Sequence, residues 1–315
     1  MAALRIIFMG TPELACASLR ALIRSSNCQI AAVVTQPDRP KGRELKLHPP
    51  PVKEIATQES LPVLQPERAR DAKFIQELRA LQPDLIVVAA YGHILPESIL
   101  ELAPFGCVNV HTSLLPKYRG AAPIQWAILN GEFETGVTIM KMDAGLDTGD
   151  LLAQERIPIH PNDNSQTLHN RLAIVGAELL LRTIPDFVTG TLQPRPQPVE
   201  GVSHAPKIKK QDGQINWFQP ARAVWNRVRA MTPWPGAFTH LPDEPHPHLL
   251  KIWEAEPIPQ SGEPGRILSA DRNGIVVGCG VDALRVSGVQ REGGRRMSAQ
   301  EFLTGHAIQP GQRFG

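Results

Sequence analysis

The chain has 315 residues, of which 42% are hydrophobic and 20% charged, and its formal net charge at pH 7 is +2. This length exceeds the size at which one hydrophobic core stops growing, so two globular domains are predicted, and the composition excludes a disordered or fibrous protein. The four scattered cysteines contain no C-x-x-C pair, so the sequence suggests neither a disulfide framework nor a zinc site, and a reducing cytoplasm fits best.

Four continuous apolar runs of strand length alternate with helical patterns in the first half of the chain: residues 4–9, 30–34, 84–90 and 106–111. The first run is too short for a signal peptide or a membrane span. Buried runs that alternate with helices predict an α/β fold with a Rossmann-like parallel sheet covered on both faces. The turn after the first run lacks G-x-G-x-x-G, so a dinucleotide cofactor is not supported.

A long insert at residues 36–53 follows the second strand and is rich in proline and in lysine and arginine. Loops of this length inside a compact domain are usually functional or disordered. Composition alone favours a solvated surface loop. The other interpretation is a flexible cationic arm that closes on a substrate carrying phosphate groups.

The rest of the first domain is predicted as a helix, two strands and a closing helix, at residues 121–130, 135–142, 151–159 and 165–190. Residues 191–206 are rich in proline and glycine and are predicted to be a linker. The predicted organisation is therefore a catalytic domain at 1–190, a linker at 191–206 and a second domain at 207–315.

The second domain is predicted to contain one helix at residues 221–231 and several short strands separated by glycine and proline. Short strands at that spacing are typical of a small barrel or sandwich, here an OB-like β-barrel of the kind that binds oligonucleotides. From residue 206 onward there are 14 lysines and arginines against 10 aspartates and glutamates. This mildly basic balance allows a polyanionic partner without requiring one.

Three polar residues suggest chemistry. Asn109 and His111 are two residues apart at the carboxyl end of the fourth strand, so their side chains share one face. Asp147 lies in a glycine-rich turn after the strand at 135–142, and we expect both segments at carboxyl ends of strands, where ligands of α/β sheets bind. An amide, an imidazole and a carboxylate together suit acyl or formyl transfer to an amine through a tetrahedral intermediate.

Structural interpretations of the same residues remain open. An asparagine or histidine at a strand end is more often a satisfied polar group, and Asp147 before a Thr-Gly pair can cap a turn. Ser113 lacks a G-x-S-x-G context and is discounted as a nucleophile. Cys107 lies in an apolar run and is interpreted as a buried filler.

Residues 111–124 (HTSLLPKYRGAAPI) and 145–149 (GLDTG) resemble the signature of 10-formyltetrahydrofolate-dependent formyltransferases. Further segments resemble the branch that formylates methionine on initiator methionyl-tRNA: Gly10-Thr11-Pro12, residues 36–40 (QPDRP) with Gly42-Arg43, residues 205–208 (APKI) and Asp212-Gly213. The resemblance covers essentially the whole chain. It implies a Rossmann-like catalytic domain, an OB-like C-terminal domain and formyl transfer to the amine of initiator methionyl-tRNA.

By position, the resemblance implies that Asn109, His111 and Asp147 are catalytic. It further implies that Ser113, Leu114, Leu115 and Pro116 contact the folate, which would lie beside residues 91–95. Arg43 corresponds to the arginine of a tRNA-inserting arm, and the tRNA-binding residues are predicted to be Arg43, Lys41, Lys46, Lys207, Lys209 and Lys210. The co-substrate is then 10-formyltetrahydrofolate, with no metal, no membrane and a monomeric chain.

Two other functions are compatible with the same residues. One is a related enzyme that transfers a formyl group to a sugar nucleotide or small amine, against which the basic insert and second domain count. The other is a tRNA-binding protein without catalysis, against which the intact set of Asn109, His111 and Asp147 counts.

Overall fold

The computed structural model describes residues 3–41, 46–241 and 248–315. It divides into two compact units. The first comprises Met1–Pro123, Glu134–Pro158 and His169–Pro206, and the second comprises Ile124–Phe133, Ile159–Leu168 and Lys207–Gly315. The predicted division of the chain at 190 and 207 remains a prediction.

The elements from residue 4 to residue 188 are, in order, β1 (Leu4–Gly10), α1 (Glu13–Arg24), β2 (Cys28–Val34), β3 (Arg39–Lys41), β4 (Lys46–His48), α2 (Pro51–Gln58), β5 (Val63–Leu64), α3 (Ala72–Ala80), β6 (Leu85–Ala89), α4 (Glu97–Leu100), β7 (Cys107–His111), α5 (Pro123–Leu129), β8 (Glu134–Lys141), β9 (Leu151–Pro158) and α6 (Ser165–Val188). The predicted cationic insert thus contains a short hairpin, β3 and β4, and the start of α2.

The main sheet has seven strands in the order β5-β2-β1-β6-β7-β8-β9. The first five are parallel, whereas β8 is antiparallel to β7 and β9 is antiparallel to β8. The α/β fold is therefore confirmed, but the expected all-parallel sheet is wrong at this edge. The short connection at 142–150 requires β9 to run antiparallel to β8, because a parallel crossover needs a dozen or more residues. The connection from β7 to β8 contains α5 and is long enough for either direction, so its length does not set the direction of β8. Apolar periodicity does not report strand direction.

Every residue of β6 and β7 is buried, as expected for central strands covered on both faces. On one face, Gly176 of α6 lies so close to Val110 that a Cβ there would come within 2.9 Å of its Cγ1. Side chains alternate along a strand, so Asn109 and His111 lie on the opposite face from that helix. The sheet thereby presents both polar side chains together.

The second unit contains a 3₁₀ turn (Lys210–Gly213), α7 (Ala221–Ala230), β10 (Ala237–His240), β11 (Leu249–Ile258), β12 (Ile267–Asp271), β13 (Gly274–Gly278), β14 (Ala283–Arg291), β15 (Met297–Ser298) and α8 (Ala299–Gly305). Its strands pair antiparallel in the order β10-β11-β14-β13-β12, with β15 on β14. The prediction of a β-rich second domain is confirmed. Helix α8 was not predicted, although Ser298 and Glu301 form a capping box, which is a signal of a helix start.

Within the described ranges, no helix combines the length and the apolar character needed to cross a bilayer.

Candidate active site

Strand β7 delivers the first two candidate residues. Asn109 pairs with Val88 of β6 and Met140 of β8, and both Asn109 and His111 are buried. The side-chain amide of Asn109 makes no hydrogen bond to any residue that the structure describes. Its polar atoms are not among the buried side-chain atoms that lack a partner, so they keep contact with solvent and leave a donor available to a ligand on this face.

The ring of His111 has a defined orientation. Its Nε2 lies 3.0 Å from the carbonyl oxygen of Tyr118. A carbonyl oxygen can only accept, so Nε2 carries the proton and donates it. In the neutral ring the other nitrogen, Nδ1, is then the one that can take up a proton.

Asp147 supplies the carboxylate. Its Oδ2 lies 3.7 Å from His111 Nδ1 and accepts a hydrogen bond of 2.8 Å from the backbone N–H of Gly120. The distance to the imidazole is too long for a hydrogen bond but close enough for strong attraction to an imidazolium. The site therefore joins a proton acceptor and a charge that stabilises the protonated form.

The loop that carries Asp147 starts at a different end of the sheet from the one expected. His111 pairs with Thr138 and Val108 pairs with Lys141, so β8 ends beside the amino-terminal end of β7. The segment of Asp147 does follow the carboxyl end of a strand, but that end of β8 lies opposite the carboxyl end of β7, so the expectation of one shared ligand-binding edge is wrong. The loop at 142–150 returns the carboxylate to His111, because β8 runs antiparallel.

Local contacts shape this loop. Asp143 Oδ1 accepts hydrogen bonds from the backbone N–H of Gly145 and the hydroxyl of Thr148. Asp147 itself has φ of 51° and Tyr118 has φ of 63°, so two non-glycine residues of the site lie in the left-handed region. Such conformations cost free energy and persist where surrounding contacts hold them, which is common at functional sites.

The predicted folate-contacting segment, Ser113 to Pro116, follows β7 directly. Ser113 and Leu115 are buried, whereas Leu114 and Pro116 are partly exposed. The Ser113 hydroxyl donates to the carbonyl of Lys117 at 2.6 Å, so it stabilises the turn. This contact agrees with its dismissal as a nucleophile.

Thr138 of β8 makes hydrogen bonds to the backbone of the segment from Ser113 to Pro116. Its hydroxyl donates to the carbonyl of Ser113 at 2.6 Å and accepts from the backbone N–H of Leu115 at 3.1 Å. Gln154 of β9 donates both to that hydroxyl and to the carbonyl of Leu115. Two sheet residues therefore fix the backbone on which the predicted donor-binding residues sit.

The region beside 91–95 is mixed in character. Tyr91 and Leu95 are buried in the core cluster, whereas Ile94 is 87% exposed. Burial raises the pKa of the Tyr91 hydroxyl to about 12, so it stays protonated at neutral pH. The predicted contact between this stretch and the folate stays a prediction.

The predicted tRNA-binding residues lie in different parts of the chain. Arg43 falls outside the described residues, and for Lys41 and Lys46 only the backbone pairing between β3 and β4 is described. Lys207, Lys209 and Lys210 are exposed at the start of the second unit.

The base of the β3–β4 hairpin is anchored. Lys53 Nζ forms an ion pair of 2.8 Å with Asp38, and Gln65 Nε2 donates to the same carboxylate at 2.8 Å. The hydrogen bond from Gln65 and then the pairing with Lys53 hold the pKa of Asp38 below its ordinary value. The predicted arm is therefore tied to the first unit at its root.

Cys107 shows no sign of reactivity. Burial raises the pKa of its thiol to about 12, and its Sγ donates to the carbonyl of Ile99 at 3.5 Å. No group of three or more histidine, cysteine, aspartate and glutamate side chains suited to a metal ion occurs in the described part of the chain.

Several residues of the site were missed by sequence reasoning. The carbonyl of Tyr118 and the N–H of Gly120 are backbone groups, which carry no residue-type signal. Thr138 and Gln154 read as ordinary strand residues. Gln197, which contacts the Asp147 loop, lies in the proline-rich stretch that was interpreted only as a linker.

The chain matches known families over most of its length. Residues 4–184 match the formyl transferase family, and residues 207–307 match the formyl transferase C-terminal domain. The methionyl-tRNA formyltransferase of Citrifermentans bemidjiense is 50% identical over 315 residues, which is 100% of this chain and 98% of that protein.

Solved structures share the fold at low identity. An N-formyltransferase from Helicobacter canadensis, in complex with folinic acid and dTDP-3-aminofucose, has a TM-score of 0.64 at 19% identity, covering 92% of this chain and 100% of that one. HypX from Aquifex aeolicus, in complex with tetrahydrofolic acid, has a TM-score of 0.61 at 18% identity; the match covers 96% of this chain but only 47% of HypX. With the resemblance in its motifs thus confirmed by close relatives, the chain belongs to the formyl transferase family, in its methionyl-tRNA formyltransferase branch.

Proposed function

We propose that Asn109, His111 and Asp147 catalyse the formyl transfer. As a member of its branch, the chain is an enzyme that passes the formyl group of 10-formyltetrahydrofolate to the methionine amine of initiator methionyl-tRNA. The observation that carries the assignment of residues is the approach of Asp147 Oδ2 to within 3.7 Å of His111 Nδ1, on the face of β7 that also carries Asn109.

Asn109 is the proposed oxyanion donor. When the amine adds to the formyl carbon, the formyl oxygen becomes negatively charged and needs a donor already in place. Strand β7 holds the backbone of Asn109, and the side-chain amide makes no competing hydrogen bond to described residues, so its N–H is available to that charge. Preorganised donors of this kind are among the largest contributions to catalysis.

His111 and Asp147 are the proposed proton handlers. The attacking amine becomes positively charged as its bond to carbon forms, and it must lose one proton. Nδ1 can accept that proton because Nε2 is engaged with Tyr118, and Asp147 stabilises the resulting imidazolium. As the bond from carbon to the folate nitrogen breaks, the same proton is available to the departing nitrogen.

The formyl donor, 10-formyltetrahydrofolate, is proposed to bind against the segment from Ser113 to Pro116. This segment combines buried and partly exposed apolar side chains directly after the catalytic strand, and Thr138 fixes its backbone. Apolar walls with a few fixed polar groups are typical of cofactor sites. Bound there, 10-formyltetrahydrofolate supplies an activated formyl group next to Asn109.

The acceptor is proposed to be held by the cationic arm and by the C-terminal domain, whose sheet we infer to be an OB-like barrel. Exposed Lys207, Lys209 and Lys210 suit tRNA phosphates, and phosphate contacts position a nucleic acid without reading its sequence. For Arg43→Ala we expect weaker use of tRNA with folate binding intact, measured as separate KM values. Equal loss for both substrates would contradict the arm hypothesis.

We also infer a monomer that works in the cytoplasm. All four cysteines are free thiols and three of them are buried, which suits a reducing compartment.

The test of function is incubation of the chain with 10-formyltetrahydrofolate and charged initiator tRNA, followed by detection of the formylated aminoacyl end. The second candidate is formyl transfer to an amino sugar nucleotide, because the Helicobacter canadensis neighbour holds dTDP-3-aminofucose. A competition between that sugar nucleotide and methionyl-tRNA discriminates the two. Preferential formylation of the sugar would reject the proposal, and binding of tRNA without formylation would reject catalysis.

A further inference from the structure

The stretch at 191–206 contacts the loop that carries Asp147. The backbone of Arg195 pairs with that of Leu151 in both directions, with N···O distances of 2.7 and 3.0 Å. Leu151 begins β9 and so marks the end of the loop at 142–150. The pairing sets Gln197, two residues further on, against that loop.

The side-chain amide of Gln197 is fully used. Its Nε2 donates to the carbonyl of Asp147 and to the carbonyl of Gly149, each at 2.8 Å. Its Oε1 accepts from Nε and Nη2 of Arg119, at 3.1 and 2.7 Å. An amide has two hydrogens and an oxygen with two lone pairs, so no part of it is left for a ligand.

Arg119, which donates to Gln197, is also next to residues that contact His111 and Asp147. Arg119 stands between Tyr118, whose carbonyl accepts from His111, and Gly120, whose N–H donates to Asp147. Its backbone is held in turn, because Arg119 N donates to the carbonyl of Ser203 at 2.9 Å. Gln197 therefore joins the loop of the carboxylate to the segment that orients both the imidazole and the carboxylate.

Such a connection is needed because Asp147 is not in a relaxed conformation. Its φ of 51° lies in the left-handed region, which costs a residue with a Cβ free energy, although aspartate tolerates it better than most, so contacts that hold this conformation favour the observed position. One such contact is the hydrogen bond from Gln197 to the carbonyl of Asp147 itself. The restraint acts on the backbone of the residue that carries the reacting group.

We propose that Gln197 is a positioning residue for formyl transfer: it touches no substrate, and it fixes the Asp147 carboxylate opposite His111 through the Arg119 side chain. The inference rests on the proposed function, because it requires that Asp147 take part in the reaction. A displaced carboxylate would slow the chemical step and leave both substrates bound.

The test is a double-mutant cycle on the full chain under single-turnover conditions, with 10-formyltetrahydrofolate and initiator methionyl-tRNA. We expect Gln197→Ala to lower the rate about tenfold, with KM values for both substrates within about twofold of the unchanged chain. In an Asp147→Asn background the same change should cost less than about twofold, because its route of action has been removed.

Gln193→Ala is the matched control, since Gln193 lies in the same stretch but bonds only to the carbonyl of Gly190. It should retain full activity. Gln197→Glu, which keeps the acceptor for Arg119 and loses both donors, gives a second variant if Gln197→Ala folds poorly, and it should be slow as well.

Equal losses from Gln197→Ala in both backgrounds would overturn the inference, since a purely structural role is additive. A normal rate for Gln197→Glu in the otherwise unchanged chain would also overturn it. An unchanged rate for Asp147→Asn alone would instead remove the proposed role of the carboxylate, and the inference would fall with it.

Discussion

The strand β7 and the loop at 142–150 supply the same site in two different ways. Asn109 and His111 need only the alternation of a strand that is paired on both sides, so the sheet itself sets their direction. Asp147 is placed by a loop with a left-handed residue and by hydrogen bonds from Gly120 and Gln197. The strand half of the site, Asn109 and His111, is therefore held by the pairing of the sheet. The loop half, Asp147, depends on contacts with residues outside the loop.

The largest effect is expected in the strand half. Asn109→Ala should lower the single-turnover rate by about 10²- to 10³-fold, because it removes the donor to the developing oxyanion. Binding of 10-formyltetrahydrofolate should change little, which equilibrium titration would check. A rate within twofold of the unchanged chain would show that Asn109 is a structural strand-end residue.

The loop half should respond to a small change at its backbone donor. Gly120 has φ of 121°, and a Cβ there would lie 2.7 Å from the carbonyl oxygen of Ala205. Gly120→Ala therefore displaces the N–H that holds Asp147, and we expect a loss of rate of up to about 10²-fold, since displacements near 1 Å can cost that much.

Gly201→Ala is the control for Gly120→Ala. Gly201 also has positive φ, at 78°, but nothing lies within 4 Å of the added Cβ, so it separates backbone strain from displacement of the donor. Equal rates for the two variants would argue against a special role for the Gly120 N–H.

A change at Thr138 tests whether the predicted folate-contacting segment, Ser113 to Pro116, is held as firmly as β7. Thr138→Val keeps the shape but leaves the carbonyl of Ser113 and the N–H of Leu115 without their shared partner. We expect a loss of about 1–3 kcal/mol in the free energy of unfolding and a higher KM for the folate. Chemical denaturation measures the first quantity, and the exposed Thr189→Val is the control. An unchanged KM would separate this segment from folate binding.

The smallest effect is expected at the root of the hairpin. The Gln65 hydrogen bond and Lys53 lower the pKa of Asp38, so the stabilisation from this carboxylate is present above its unfolded pKa and is lost as pH falls through the lower folded pKa. Gln65→Ala should move the Asp38 titration, followed by carbonyl NMR, upward toward the ordinary value of 3.8. Gln29→Ala, at an exposed position of β2, should leave it unchanged.

The difference between the two halves also explains what the sequence could predict. Apolar runs identified β1, β2, β6 and β7 because buried parallel strands are apolar throughout, and period-2 alternation placed Asn109 and His111 on one face. The direction of β8 could not be predicted, since the connection from β7 at 112–133 is long enough for parallel or antiparallel pairing. The contacts of Asp147 were hidden for a different reason, because Gly120 acts through its backbone and Gln197 lies in a proline-rich stretch without a motif.

The most direct measurement is single-turnover formylation of initiator methionyl-tRNA by Asp147→Asn, which keeps the size of the side chain and removes its charge. If the loop delivers a carboxylate that stabilises protonated His111, the rate should fall by about 10²-fold while both substrates bind normally. A rate unchanged at neutral pH would contradict the account, because the imidazole would then work without the partner that the loop brings to it.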